Sequence, residues 1–113
     1  MKLVLAFVQP HRLDDVTRIL QRIPHLPGMS VTQARGFGRE KVEEARHTPR
    51  EELTDFTDKA RIEVVVHDAQ VDAVISAIVQ GARTGQRGDG KIIVLPVDRV
   101  IRVRTGEEGE AAI

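Results

Sequence analysis

Ala60-Arg61-Ile62-Glu63-Val64-Val65-Val66 opens the stretch that decides the fold, which runs on to residue 97. It continues through Val71, Val74, Ile75, Ile78 and Val79, then Arg83-Thr84-Gly85-Gln86-Arg87-Gly88-Asp89-Gly90-Lys91, and ends on Ile92 to Val97. The first piece is rich in β-branched residues and reads as a strand. The second spaces its apolar residues as one stripe of a helix, and Asp68 stands where an N-cap belongs. Gly81 and the glycine-rich loop end that helix. Ile92 to Val97 is a second apolar strand. Residues 60–97 are therefore a strand–helix–strand unit whose helix-to-strand loop carries three glycines and several charges.

The same pattern lies upstream. Leu3 to Val8 is a continuous apolar run, fitting a strand buried on both faces. It is too short for a secretion signal and no small-residue cleavage site follows. Pro10 ends it. Leu13, Val16, Ile19, Leu20 and Ile23 mark one face of an amphipathic helix, with Asp14 and Asp15 in the first turn, where the helix dipole favours acids. Pro24, Pro27 and Gly28 turn the chain, and Met29 to Ala34 alternates as a strand does. From Gly36-Phe37-Gly38-Arg39 the chain becomes dense in charge as far as Thr57. A loop of roughly twenty residues in a small domain is functional or disordered. Val100 to Val103 reads as a short fifth strand. The acidic tail from Gly106 to Ile113 is expected to be partly mobile.

Two such halves give the α+β, ferredoxin-like order βαββαβ in a single domain, residues 1–113. Both helices then lie on one face of one sheet. The other face, rich in Val and Ile, is expected to pack against further subunits.

Composition narrows the function classes. The 113 residues carry 17 basic and 17 acidic side chains and no cysteine. The charges cancel, so a global basic field for nucleic acid is missing. Without cysteine there is neither a disulfide framework nor a thiolate metal site, which fits a cytoplasmic location. No apolar run approaches the roughly twenty residues of a membrane span. Aromatics are only Phe7, Phe37 and Phe56, too few for an RNA-stacking sheet. His11, His25, His47 and His67 have no metal-ligand spacing. Ser30 and Ser76 lie in no nucleophile-elbow pattern. Glu43-Glu44 and Glu51-Glu52 read as a solvated charge run. The chain contains no Asn to position a water for acyl-phosphate hydrolysis.

What remains is anion binding. Glycines let backbone N–H groups approach a phosphate, and the alternating Arg102 and Arg104, on one face of a strand, carry guanidinium forks suited to phosphate oxygens. Gly85-x-x-x-x-Gly90-Lys91 imitates a Walker A motif, but Ile92 stands where Ser or Thr must hold magnesium. The loop also joins a helix to a strand rather than the reverse, which excludes a P-loop NTPase.

These residues resemble the PII signal-transduction proteins, the nitrogen regulators, nearly end to end. The resemblance rests on Leu13-Asp14-Asp15-Val16, Gly36-Phe37-Gly38-Arg39, Asp55-Phe56, Lys59, Ile62 to Val66, Val71-Asp72-Ala73-Val74, Thr84-Gly85, Gly88-Asp89-Gly90-Lys91-Ile92, Leu95-Pro96-Val97 and Val100 to Glu107. It implies a homotrimer that binds ATP or ADP in clefts between neighbours. Gly88, Asp89, Gly90 and Lys91, in the B-loop at about 83–91, would hold the phosphates. Arg102, Val103 and Arg104, in the C-terminal loop at about 102–113, would reach them from the adjacent subunit, with Arg39 joining. Ser30, Gly38 and Val65 would line the adenine side, with Glu63 near the ribose. The charged segment at about 37–57 would be the T-loop, which docks on a protein target, either an enzyme or a membrane transporter.

The departures from the family pattern also carry meaning. The T-loop tyrosine that is uridylylated in the family is Glu52 here, and the chain has no tyrosine. The glutamine that helps bind magnesium and 2-oxoglutarate is Glu40. A carboxylate there suits a cation and repels a dicarboxylate. A nearby glycine is Val42, the lysine of the first strand is Gln9, and the aromatic after the glycine block is Ile93. Lys59, the usual partner of a 2-oxoglutarate carboxylate, is present. The expectation is a non-enzymatic regulator with nucleotide binding intact and 2-oxoglutarate sensing weakened. A regulator of a metal-efflux or ammonium transporter is the alternative. Slow ATP hydrolysis is a weaker one, because no clear general base is present.

Overall fold

A computed structural model describes residues 1–37 and 56–113. Strand β1 (Lys2–Val8) leads through a 3-10 turn at Pro10–Arg12 into helix α1 (Leu13–Leu20). Strands β2 (Met29–Gly36) and β3 (Thr57–Val66) follow. Helix α2 (Val71–Ala82), strand β4 (Gly90–Pro96) and a 3-10 turn at Gly109–Ala112 complete the chain. The sheet order is β2-β3-β1-β4 with every neighbour antiparallel, the ferredoxin-like arrangement that the two strand–helix–strand units imply.

The core lies between the sheet and the two helices. Val4, Ala6 and Val8 of β1 and Ala60, Ile62, Val64 and Val66 of β3 point into it, against Val16 and Leu20 of α1 and Val74, Ala77, Ile78 and Ala82 of α2. The helices touch closely at Gly81, where an added Cβ would stand 2.7 Å from Val16 Cα. That leaves no room for any side chain larger than hydrogen. Arg12 fastens the same corner, its Nε donating to Gly81 O at 2.8 Å.

Four details differ from the sequence reading. Within one chain β1 is buried on alternate residues only, because both helices cover the same face; Leu3, Leu5 and Phe7 on the other face stay half-buried. Asp68 does not cap α2. A 3-10 turn at Asp68–Gln70 intervenes, and the Asp68 carboxylate instead takes the Met1 amine at 2.9 Å and Lys2 Nζ at 3.3 Å. The hydrogen bond from that amine, then the one from Lys2, hold the Asp68 carboxyl below its ordinary range. Val100 to Val103 forms no sheet strand. Ile101 makes one isolated bridge with Glu108, closing a turn. The acidic tail is tied down rather than loose: His67 Nδ1 meets the Glu110 carboxylate, and Arg102 holds Ala111 O at 3.1 Å.

Strands β2 and β3 also run longer than their apolar residues suggest. Arg35 pairs with Asp58 and Gly36 with Thr57, beyond the hydrophobic part of either strand. The ladder's own hydrogen bonds carry it there, helped by Thr57 Oγ1 donating to Gly36 O at 3.1 Å. At its end the Phe37 and Phe56 rings meet edge to face, centroids 5.0 Å apart. Most of the expected T-loop, including Gly38, Arg39, Glu40, Val42 and Glu52, lies outside the described residues.

Candidate functional site: the glycine loop and the open sheet face

The loop between α2 and β4 is built around one carboxylate. Asp89 Oδ2 accepts from the backbone N–H of Thr84 and of Gly85, each at 2.9 Å. The Thr84 hydroxyl donates to Asp89 Oδ1 and itself accepts from Gln86 N at 3.2 Å. These bonds, the Thr84 hydroxyl first and its N–H second, pull the Asp89 carboxyl below the ordinary aspartate value. The Asp89 side chain therefore shapes the loop and is turned onto it. A phosphate would meet the loop's N–H groups and basic side chains, not this carboxylate.

The glycines have separate reasons. Gly88 has φ +87° and Gly90 φ +110°, backbone that L-residues rarely adopt. At Gly90 a Cβ would also stand 1.8 Å from Phe7 O, because Gly90 is already in the ladder opposite Val8. The turn thus brings the loop backbone hard against β1. Beside it lies a shallow depression of about 230 Å³, bordered by Val79, Ala82, Arg83, Asp89 and Lys91.

Register places the remaining residues. Paired residues of an antiparallel sheet project to the same side. Thr32, Arg61, Phe7 and Lys91 form one row across the open face, and Ser30, Glu63, Leu5 and Ile93 form the next. Val65, two residues beyond Glu63, lies opposite Leu3 on the same face. The structure therefore brings Lys91, Ser30, Glu63 and Val65 onto one surface. On it, Arg61 Nε approaches Glu63 Oε1 at 2.7 Å and its guanidinium sits 5.8 Å from the Phe7 ring centre.

Arg102 and Arg104 are placed differently from the expectation. They lie in the turn closed by Ile101 and Glu108, not on a strand, so alternation does not align them. Arg102 reaches Glu107 Oε1 at 3.4 Å and Ala111 O at 3.1 Å, within its own segment. Val103, between the two arginines, is 99% exposed, which puts it at the projecting tip.

Sequence reasoning missed one feature of the loop. Gln9 Nε2 donates to Gly88 O at 2.6 Å, and Lys59 Nζ donates to the same oxygen at 3.0 Å. Gln9 was legible only as a departure from a family pattern, and Lys59 only as an effector residue. The available signal was the pairing of Val8 with both Gly90 and Ala60, which brings the ends of β1 and β3 to the loop.

Fold and loop together define a ferredoxin-like α+β domain whose glycine-rich helix-to-strand loop is wired to the sheet beside the sheet face that neither helix covers. Comparison with known proteins makes the class specific: the chain belongs to the family described as Nitrogen regulatory protein P-II, which matches residues 1–107. It is 49% identical to the nitrogen regulatory protein P-II of Pasteurella multocida, over the full length of both chains. It is 46% identical, again over the full length of both, to nitrogen regulatory protein P-II 1 of Escherichia coli K12. Among solved structures it is similar to the Arabidopsis thaliana PII bound to citrate. The TM-score there is 0.79 at 43% identity, covering 98% of this chain and 87% of that one. The chain is thus a signal-transduction regulator by family. Among the described residues no helix is long and apolar enough to cross a membrane.

Proposed function

We propose that this protein is a non-enzymatic regulator that binds ATP or ADP between the subunits of a homotrimer and signals the occupant through its T-loop to a protein target. The observation that carries the reading is the preformed loop. Asp89 fixes its curvature, Gly88 and Gly90 supply the positive φ that its path requires, and Lys91 stands at its end on the open face. A cradle organised before the ligand arrives binds without an ordering cost.

The same geometry supports the trimer. Leu3, Leu5 and Phe7 leave an apolar, half-buried band on the open face, which a cyclic arrangement of copies covers. Arg102 and Arg104 then serve the neighbour's loop from a projecting turn. Ser30, Gly38 and Val65 take the adenine and Glu63 the ribose, while Arg39 adds a phosphate contact. The nucleotides act by shifting the population of T-loop conformations. The site is cytoplasmic in this reading. The citrate held by the Arabidopsis relative supports a polyanion-binding role for the fold.

One observation favours a second reading, in which the output controls a membrane transporter and 2-oxoglutarate has little influence. Lys59, the residue available for a 2-oxoglutarate carboxylate, is engaged with Gly88 O, and Gln9 stands beside it. Glu40 fits magnesium better than a dicarboxylate.

Titration calorimetry with ATP, ADP and AMP, alongside sedimentation velocity, tests the main reading. A trimer should bind ATP and ADP at micromolar levels, and Lys91→Ala or Arg102→Ala should weaken ATP about 10- to 100-fold, as loss of a charged hydrogen bond does. AMP should change much less. A monomer, or a protein that takes no ATP, would overturn the proposal.

A further inference from the structure

The Gly88 carbonyl is held from two strands at once, by Gln9 just past β1 and by Lys59 within β3. We propose that Gln9 and Lys59 are positioning residues that aim the Gly88–Asp89 peptide, so that its N–H is presented to a phosphate of the bound nucleotide.

The Gly88–Asp89 peptide is trans and planar. Its C=O and N–H point in opposite directions, so fixing one fixes the other. Donors at 2.6 and 3.0 Å hold Gly88 O on the side of Gln9 and Lys59. The Asp89 N–H must then point to the opposite side. Gly88, at φ +87° and without a side chain, gives this peptide a backbone neighbour that permits a flip. The Asp89 carboxylate ties down Thr84 and Gly85, at the other end of the loop. The pair of donors therefore completes what Asp89 begins: one fastening sets the curvature, and the other sets which way a single peptide faces. An added Cβ on Gly88 would lie 2.8 Å from Gln9 Nε2, so the fastening also depends on that glycine.

The donor pair also has an electrostatic consequence. A carbonyl that accepts hydrogen bonds, one of them from an ammonium, polarises its own N–H and makes it a better donor to an anion. The effect serves phosphate and not adenine. This separates a positioning role from a general packing role.

The inference rests on the nucleotide reading above, and the experiment keeps the two apart. Gln9→Met keeps the length of the side chain and removes the donor. Gln9→Lys keeps a donor at the same place. ATP and AMP affinities are measured by calorimetry for both variants and the natural chain, with Lys91→Ala as reference and thermal unfolding recorded without nucleotide. Gln9→Met should weaken ATP about five- to tenfold, the effect of one lost hydrogen bond, while AMP and the unfolding temperature hold. Gln9→Lys should bind ATP at least as well as the natural chain. If Gln9→Met weakens ATP and AMP alike, or leaves their ratio unchanged while Lys91→Ala still loses ATP, the positioning role is wrong and the nucleotide site stands. If the natural chain and Lys91→Ala both fail to distinguish ATP from AMP, the nucleotide reading falls and this inference with it.

Discussion

The glycine loop at residues 83–91 and the turn at residues 101–108 resemble each other in sequence. Each is short and holds two arginines and at least one glycine, and each is expected from its sequence to face a phosphate. Their wiring is different. The loop is closed within itself by Asp89 on Thr84 and Gly85, and it is fastened to the body of the domain through Gly88 to Gln9 and Lys59. The turn is closed on itself by Gly106 N donating to Arg102 O at 2.8 Å and Arg102 N to Glu107 O at 2.9 Å. Beyond that, its hold is the tail, through Glu110 and His67. A fastened segment and a projecting one are what the two-subunit site proposed above calls for, one partner supplying the cradle and the other reaching in.

Glycine substitutions break this comparison most directly, because both segments hold glycines at positive φ. Gly90→Ala is expected to have the largest effect. Its Cβ would overlap Phe7 O at 1.8 Å, and the backbone at φ +110° is itself unfavourable for alanine. Backbone cannot yield as a side chain does, so β4 must leave its register with β1. The loss should be about 3 kcal/mol or more in urea unfolding. A loss under about 1 kcal/mol would show that the loop is not pressed on β1.

Gly106→Ala sharpens the contrast from the other segment. Gly106 has φ +74°, but nothing stands within 4 Å of its added Cβ. Only the left-handed backbone penalises the change, about 1 kcal/mol. Its structural consequences should stay within the turn. Equal destabilisation by Gly90→Ala and Gly106→Ala would erase the distinction drawn between the two segments.

The two segments also mark how far the sequence could be read. The strand–helix–strand units were legible because their apolar spacing is regular, and the sheet order follows from repeating that unit. The loop's glycines were legible as backbone requirements. The role of Asp89 was not, since a carboxylate in a basic loop reads equally as ligand or as scaffold until its hydrogen bonds are seen. Alternation misled at Arg102 and Arg104, because period two implies one face only if the segment is a strand. Here Gly106 and the Ile101–Glu108 bridge make it a turn. Asp68 misled for a related reason: a capping residue is recognised by type, and the nearby Met1 amine and Lys2 compete for its carboxylate. Gln9 and Lys59 lie fifty positions apart in the sequence, and only the pairing of β1 with β3 and β4 brings both to Gly88.

The smallest effect on global stability should come from the carboxylate that shapes the loop, and it is best read by acid titration. Asp89 is ionised while it accepts from Thr84 and Gly85, and its folded-state pKa lies below the ordinary value. A depressed folded pKa means that the unfolded state takes up the proton first as pH falls. The contribution of Asp89 is therefore complete above about pH 4, the unfolded aspartate value. It is lost as pH falls through the lower, folded value. The Thr84 and Gly85 amide resonances should hold their positions from neutrality down to about pH 4 and move only below it. In Asp89→Asn that inflection should vanish, because a side-chain amide does not ionise. The turn differs here too: the bond that closes it runs from Gly106 N to Arg102 O, backbone to backbone. An inflection of Gly85 at or above the ordinary aspartate value would mean that the carboxylate does not hold the loop, and that the cradle forms only when a ligand arrives.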